Sequence, residues 1–133
     1  MSTGLALDFD KMESSGSIIN ELEVLGINHS ISKVILCLFH HPNSSSIELQ
    51  EGCDLRQPEI SQAVKNLENL NILKKTKVKN MGRGRPSYRY SLSKSLPECV
   101  AALLAIEQEK IDKQLQQIAK INSLAKAISG KSE

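Results

Sequence analysis

The segment Arg56-Gln-Pro-Glu-Ile-Ser-Gln-Ala-Val-Lys-Asn-Leu-Glu-Asn-Leu70 decides how the rest of the chain is read. Ile60, Val64, Leu67 and Leu70 return every three or four positions, so they line one side of a helix. Pro58 is tolerated in a first turn, where backbone N–H groups have no intrahelical partner, and Glu59 suits the positive end of the helix dipole. Gln57, Ser61, Gln62 and Lys65 fall on the opposite side, all polar and none acidic. A helix over about 57–70 with that outer face suits a major groove, where Gln can pair bidentately with adenine and Ser or Lys can reach bases or phosphates. Arg56 and Asn66 are candidate contacts to the nucleic-acid backbone.

Downstream, the periodicity changes. Ile72 to Lys79 alternates loosely with a lysine-rich outer face. Ser87 to Leu92 alternates strictly, with Tyr88, Tyr90 and Leu92 on one face and Arg89 and the serines on the other. Met81-Gly-Arg-Gly-Arg-Pro86 lies between, and two strands joined by a Gly-rich connection make a β-hairpin. Gly82 and Gly84 keep its tip slim, so Arg83 and Arg85 could enter a minor groove or clamp phosphates. Lys77, Lys79 and Arg89 complete the expected contacts of this wing, which centres on residues 79–87.

Upstream, Ser17 to Leu25 reads as a helix with Ile18, Ile19, Leu22 and Leu25 on one face, Glu21 and Glu23 outward, and Gly26 as its stop. A second helix is predicted from about Ile31 to His40, with Ile31, Val34, Ile35 and Leu38 as its apolar stripe; Pro42 ends it. The turn-rich Asn43-Ser-Ser-Ser46 has room for a short strand. Ser45 and Glu48 have capping-box spacing, so a short helix starts there and ends near Gly52. The order helix, short helix, helix, strand, basic tip, strand is that of a winged helix-turn-helix.

The last element is long. Ser95-Leu-Pro-Glu98 has the form of a capping box, and nothing from there to Ser129 breaks a helix. At 1.5 Å rise per residue it would reach roughly 50 Å. Val100, Leu104, Ile111, Leu115, Ile118, Ile121, Ala125 and Ile128 recur mostly at spacings of three and four. A stripe of that length exceeds what a domain of this size can cover, so pairing with a second copy of the chain is expected, in parallel or antiparallel. The alternative is that the segment folds back as two helices on its own core.

The expected fold class is therefore mostly α with a small β-hairpin wing (α+β), a winged helix-turn-helix with a long C-terminal dimerisation helix. Residues 1–16 are expected to be a flexible N-terminus, 17–94 the DNA-binding domain and 95–133 the dimerisation helix. Composition supports one such unit: 133 residues, 40% hydrophobic but only 3% aromatic, so the core is built from Leu, Ile, Val and Ala. The net charge of +2 hides an asymmetry. From Arg56 to Lys94 ten Lys/Arg stand against two acids, a local +8, while the remainder carries −6. Charge so localised marks a surface for a polyanion or an acidic partner. No apolar run is long enough to cross a bilayer and the N-terminus lacks the pattern of a secretory signal, which points to the cytoplasm and away from membranes. Three widely spaced cysteines, Cys37, Cys53 and Cys99, argue against a disulfide framework.

The segment Leu55 to Leu73 resembles the recognition helix and following strand of MarR- and TrmB-like winged-helix regulators, in its Arg-Gln-Pro-Glu-Ile-Ser start and its Leu-Glu-Asn-Leu-Asn-Ile-Leu ending. Met81 to Leu92 resembles their wing, where a Gly-Arg-Pro turn leads into a Tyr-containing strand. The match covers roughly residues 30 to 95. It implies a homodimer that binds pseudo-palindromic double-stranded DNA as a transcriptional regulator, with repression favoured over activation. By that analogy Gln57, Ser61, Gln62 and Lys65 are helix contacts, and Arg83 and Arg85 wing contacts. Two positions depart from the pattern. Arg56 stands where Ser or Thr commonly caps the recognition helix, and Asn71 replaces the usual Gly while tolerating the same left-handed backbone.

Other chemistry has little support. Cys53-Asp-Leu55 bears a faint likeness to the metal-binding Cys-x-Cys-Asp-Leu segment of ArsR-like repressors, but one cysteine is missing and the segment abuts the recognition helix. His40-His41 is a weak metal signal, and Cys37 on an apolar helix reads as core. No metal or cofactor is expected. Gly82-Arg-Gly84 lacks the setting of a phosphate loop, no Gly-x-Ser-x-Gly occurs, and the carboxylates are scattered, so no enzyme is expected. Two further readings stay open: a module that docks an acidic protein partner, and a repressor that senses a ligand or metal. With no separate effector domain evident, an effector would bind at the dimer interface or between the long helix and the winged domain.

Overall fold

The computed structural model describes residues 15–78 and 87–130. Residues 15–24 form helix α1, which buries Leu22 and half-buries Ile18 and Ile19. Gly26 ends it with φ +95°, a conformation that L side chains rarely adopt. Leu25, expected on the buried face, lies in the turn after the helix and is exposed. The helix already includes Ser15 and Gly16, two residues ahead of the predicted start.

Helix α2 spans His29–His40 and also starts two residues early, because the Asn28 side chain accepts the Ser30 N–H at 2.8 Å and caps it. It is the central helix of the domain: Val34, Ile35, Leu36 and Leu38 are buried, and it packs on α3, α4 and β3. Strand β1 is the two residues Ser44–Ser45. Helix α3, Ser46–Cys53, opens with the predicted capping box: Ser45 Oγ accepts the Glu48 N–H at 3.2 Å and Glu48 Oε1 accepts the Ser45 N–H at 2.9 Å. It closes on Asp54 in the left-handed region, φ 57°.

Helix α4, Gln57–Asn69, buries Ile60, Ala63, Val64 and Leu67 against α2 and α3. Leu70 is only half-buried, since the helix has ended there. Asn71 takes φ 61°, so the residue standing in place of glycine adopts the backbone a glycine would. Strands β2 (Leu73–Val78) and β3 (Ser87–Leu92) pair antiparallel with Leu73 opposite Leu92 and Val78 opposite Ser87. β1 adds to the other edge of β3, Ser44 opposite Tyr90, so the sheet has three strands in the order β1-β3-β2. The side chains sealed most completely are Val34, Ile35, Leu38, Leu49, Ile60, Leu67 and Ile72, contributed by α2, α3, α4 and the turn before β2. Burying each such aliphatic side chain contributes about 1.5–3 kcal/mol.

The chain divides into two compact units, residues 1–100 and 101–133. Helix α5, Leu96–Ser129, begins in the first and continues without a break through the second, so the fold-back into two helices does not occur. The Ser95/Glu98 capping box forms, with Ser95 N–H donating to Glu98 Oε1 at 3.0 Å and Glu98 N–H to Ser95 Oγ at 3.3 Å. Cys99 in its first turn is fully buried. Val100 is half-buried, whereas Leu104, Ile111, Leu115, Ile118, Ile121, Leu124 and Ile128 are exposed. Among the described residues no helix is long and apolar enough to cross a membrane.

Candidate nucleic-acid interface

The outer face of α4 is presented as its periodicity predicts. Gln57, Ser61, Gln62 and Lys65 are exposed and Asn66 is half-buried. What holds this face in place comes largely from α3. Ser46 Oγ donates to Gln57 Oε1 at 3.0 Å, the Gln50 side-chain amide donates to the same oxygen, and Gln57 Nε2 donates to Ser61 Oγ at 2.9 Å. Gln57 is thus the hinge pin of the helix-turn-helix, and its carbonyl is already occupied. Asn66 Nδ2 donates back to Gln62 O at 3.1 Å, which fixes its amide along the helix. Gln62 and Lys65 make no side-chain hydrogen bond to any described residue, so all their donors are open to a base edge or phosphate.

At the start of α4, Arg56 stands at the N-cap. Its side chain holds no acceptor and makes no cap; Glu59 Oε1 accepts the Arg56 N–H at 2.9 Å and supplies one half of a capping box. Arg56 itself is exposed. Beside α4, a groove of 370 Å³ is lined by Ser46, Gln57, Ser61, Lys65, Glu68 and Tyr90. Lys75 sits beyond it, 3.2 Å from Glu68 Oε2 and 4.7 Å above the Tyr88 ring. The Glu68 carboxylate raises the Lys75 pKa, and burial raises that of the Tyr90 hydroxyl, so neither group changes charge near neutral pH. Lys74 and Lys77 on β2 are exposed.

Chains of known structure share this arrangement. A possible transcriptional regulator from Methanosarcina mazei superposes with a TM-score of 0.54 at 18% identity, over 82% of this chain and 87% of its own. A second transcriptional regulator superposes at 0.53 and 19%, over 89% and 76%. A MarR family regulator from Neisseria meningitidis superposes at 0.50 and 16%, over 97% and 95%. The fold is a winged helix. At these identities the likeness is one of fold, and the sequence matches no protein-family model and no curated protein.

Within this winged helix, α3 and α4 are the helix-turn-helix and β2–β3 the wing. Lys79, Arg83 and Arg85, expected at its tip, lie outside the described residues. Arg89, expected among the wing contacts, is tied inward: its Nη1 donates to Asn43 O at 2.9 Å and to Glu48 Oε1 at 3.2 Å. It braces β3 against the start of α3, with Asn43, at φ 63°, giving its N–H to Ser91 Oγ at 3.0 Å. Sequence reasoning missed this brace, and also the part of Ser46 and Gln50 in fixing Gln57. The brace depends on the pairing of β1 with β3, which no local pattern encodes. Ser46 and Gln50 do share one side of α3 at helical spacing, the side that meets Gln57.

Proposed function

We propose that this protein binds double-stranded DNA sequence-specifically as a homodimeric transcriptional regulator of the cytoplasm, acting by repression and carrying out no catalysis. Helix α4 enters the major groove, and the segment 79–87 reaches the minor groove or the phosphates. The observation that carries this reading is the outer face of α4: Gln57, Ser61, Gln62 and Lys65 are polar, non-acidic and exposed, Glu68 farther along is paired with Lys75, and Gln57 is held by α3 while Gln62 and Lys65 remain available. An exposed apolar face would have favoured a protein partner instead. The second copy pairs through the exposed stripe of α5, where Leu104, Ile111, Leu115, Ile118, Ile121 and Ile128 are left uncovered.

The test is fluorescence anisotropy with a labelled duplex from the gene's own upstream region, titrated across salt beside a scrambled duplex. Tighter binding to the native duplex is expected, with log affinity falling linearly in log salt at a slope of roughly −5 to −9. Absence of binding to either duplex at low salt would overturn the reading and leave an acidic protein as the partner to seek.

A further inference from the structure

Cys37, on α2, and Cys53, at the end of α3, line one cavity. Cys53 is buried, 4% exposed, and its Sγ also lies 3.7 Å from Lys33 O. Lys33, one turn before Cys37, donates its Nζ to Cys53 O at 3.0 Å, which sets an ammonium beside the two sulfurs. Cys37 is half-buried. It lines a cavity of 730 Å³ together with Lys33, His40 and Cys53, so a small solute can reach it. Cys99 stands apart: it is fully buried, and its thiol contacts Lys94 O at 3.6 Å. Among the described residues no group of three or more His, Cys, Asp or Glu is arranged to hold a metal ion. Two adjoining thiols, one of them accessible and next to a cation, suit two-electron oxidation.

We propose that Cys37 and Cys53 are a site of oxidation by hydroperoxides, closing to an intrachain disulfide that joins α2 to the end of α3. The neighbouring Cys53 thiol and the Lys33 charge favour the Cys37 thiolate, while the neighbouring Cys37 and then burial hold Cys53 protonated. Cys37 Sγ attacks a peroxide oxygen: an S–O bond forms, the O–O bond breaks, and the leaving oxygen takes up a proton and departs as alcohol, or as water from hydrogen peroxide. Cys53 then loses its proton and attacks the Cys37 sulfenic sulfur. The S–S bond forms, the S–O bond breaks, and hydroxide leaves with that proton as water. Two electrons pass from the thiol pair to the peroxide, so two thiols and one hydroperoxide give one disulfide, one alcohol and one water.

Bonding requires the sulfurs to close to about 2.05 Å, which draws the end of α3 toward α2. The chain leaves Cys53 through the left-handed Asp54 directly into Arg56 and α4, whose Gln57 is bonded to Ser46 and Gln50 of α3. Resting on the DNA-binding reading above, the disulfide therefore displaces α4 and weakens duplex binding.

The experiment treats the protein with hydrogen peroxide, alkylates the remaining thiols and maps peptides by mass spectrometry. Free thiols are expected to fall from three to one, with a Cys37–Cys53 linked peptide that dithiothreitol abolishes. Cys53→Ala should stop at a Cys37 sulfenic acid trapped by dimedone. Cys37→Ser, at the half-buried position, should keep its helical circular dichroism and leave Cys53 and Cys99 reduced under the same exposure. Absence of the linked peptide in the wild type, or a link through Cys99, would overturn the site. Anisotropy should then show at least a fivefold loss of duplex affinity on oxidation, reversed by reductant; unchanged affinity in the disulfide form would overturn the regulatory consequence. Disulfide formation with no duplex binding in either state would stand for the site and count against the DNA-binding reading.

Discussion

Glu48 joins three parts of the domain through one carboxylate: it accepts the Ser45 N–H, pairs with Arg89 across to β3, and sits in the first turn of α3. The Ser45 N–H, followed by the Arg89 charge, holds its pKa below the usual carboxylate range. Glu98 is lowered in the same way by the Ser95 backbone N–H. A depressed carboxylate pKa contributes stability that is present above the unfolded value, about 4.3, and is lost as pH falls through the folded one. Urea midpoints measured from pH 7 down to pH 3 should therefore fall in the acid limb, and Glu48→Gln should flatten that fall. In the proposed complex, Gln62 and Lys65 of α4 divide the work. Gln62→Ala should relax sequence preference at one base pair, costing about 1–3 kcal/mol on the preferred duplex. Lys65→Ala should weaken all duplexes alike and reduce the salt slope by about 1. Equal loss on native and scrambled duplexes for Gln62→Ala would remove it from base readout.

At the scale of elements, the helix-turn-helix is stiff because both of its surfaces are engaged. Its inner side packs Leu49, Ile60 and Leu67 against α2, and its outer rim is laced through Gln57. Leu67 is fully buried, so Leu67→Ala should cost about 2–5 kcal/mol in chemical unfolding. The turn into β2 depends on Asn71 at φ 61°. Asn71→Val places a β-branched side chain in the left-handed region and should destabilise by about 1–2 kcal/mol, while Asn71→Gly should be near neutral. Similar midpoints for the Val and Gly variants would show that this turn does not set the entry to the wing.

At the scale of the molecule, the proposed assembly rests on α5. Eight large aliphatic residues from Leu104 to Ile128 are exposed along one uninterrupted helix, more apolar surface than a solitary soluble chain usually leaves bare. Sedimentation equilibrium should give a dimer for the 133-residue chain and a monomer for a chain ending at Gln108, which retains the whole compact unit 1–100. A dimer that survives the cut would move the interface elsewhere. Loss of the dimer should also cost most of the duplex affinity, because each copy offers a single α4 to the groove.

The sequence by itself determined the order and kind of the elements, the two capping boxes at Ser45 and Ser95, the left-handed role of Asn71 and the polar face of α4. These features depend on residues within a turn or two of one another, so periodicity and hydrogen-bond chemistry specify them locally. Helix starts were misplaced by two residues at α1 and α2; at α2 the Asn28 cap sits ahead of the first apolar position. Only the tertiary structure decided the pairing of β1 with β3, the inward tie of Arg89 to Asn43 and Glu48, the occupation of Gln57 by α3, and the meeting of Cys37 with Cys53. The partners in these contacts lie 7 to 46 residues apart. Nothing in either short stretch marks the other, and packing of α2, α3 and β3 around a shared core is what brings them together.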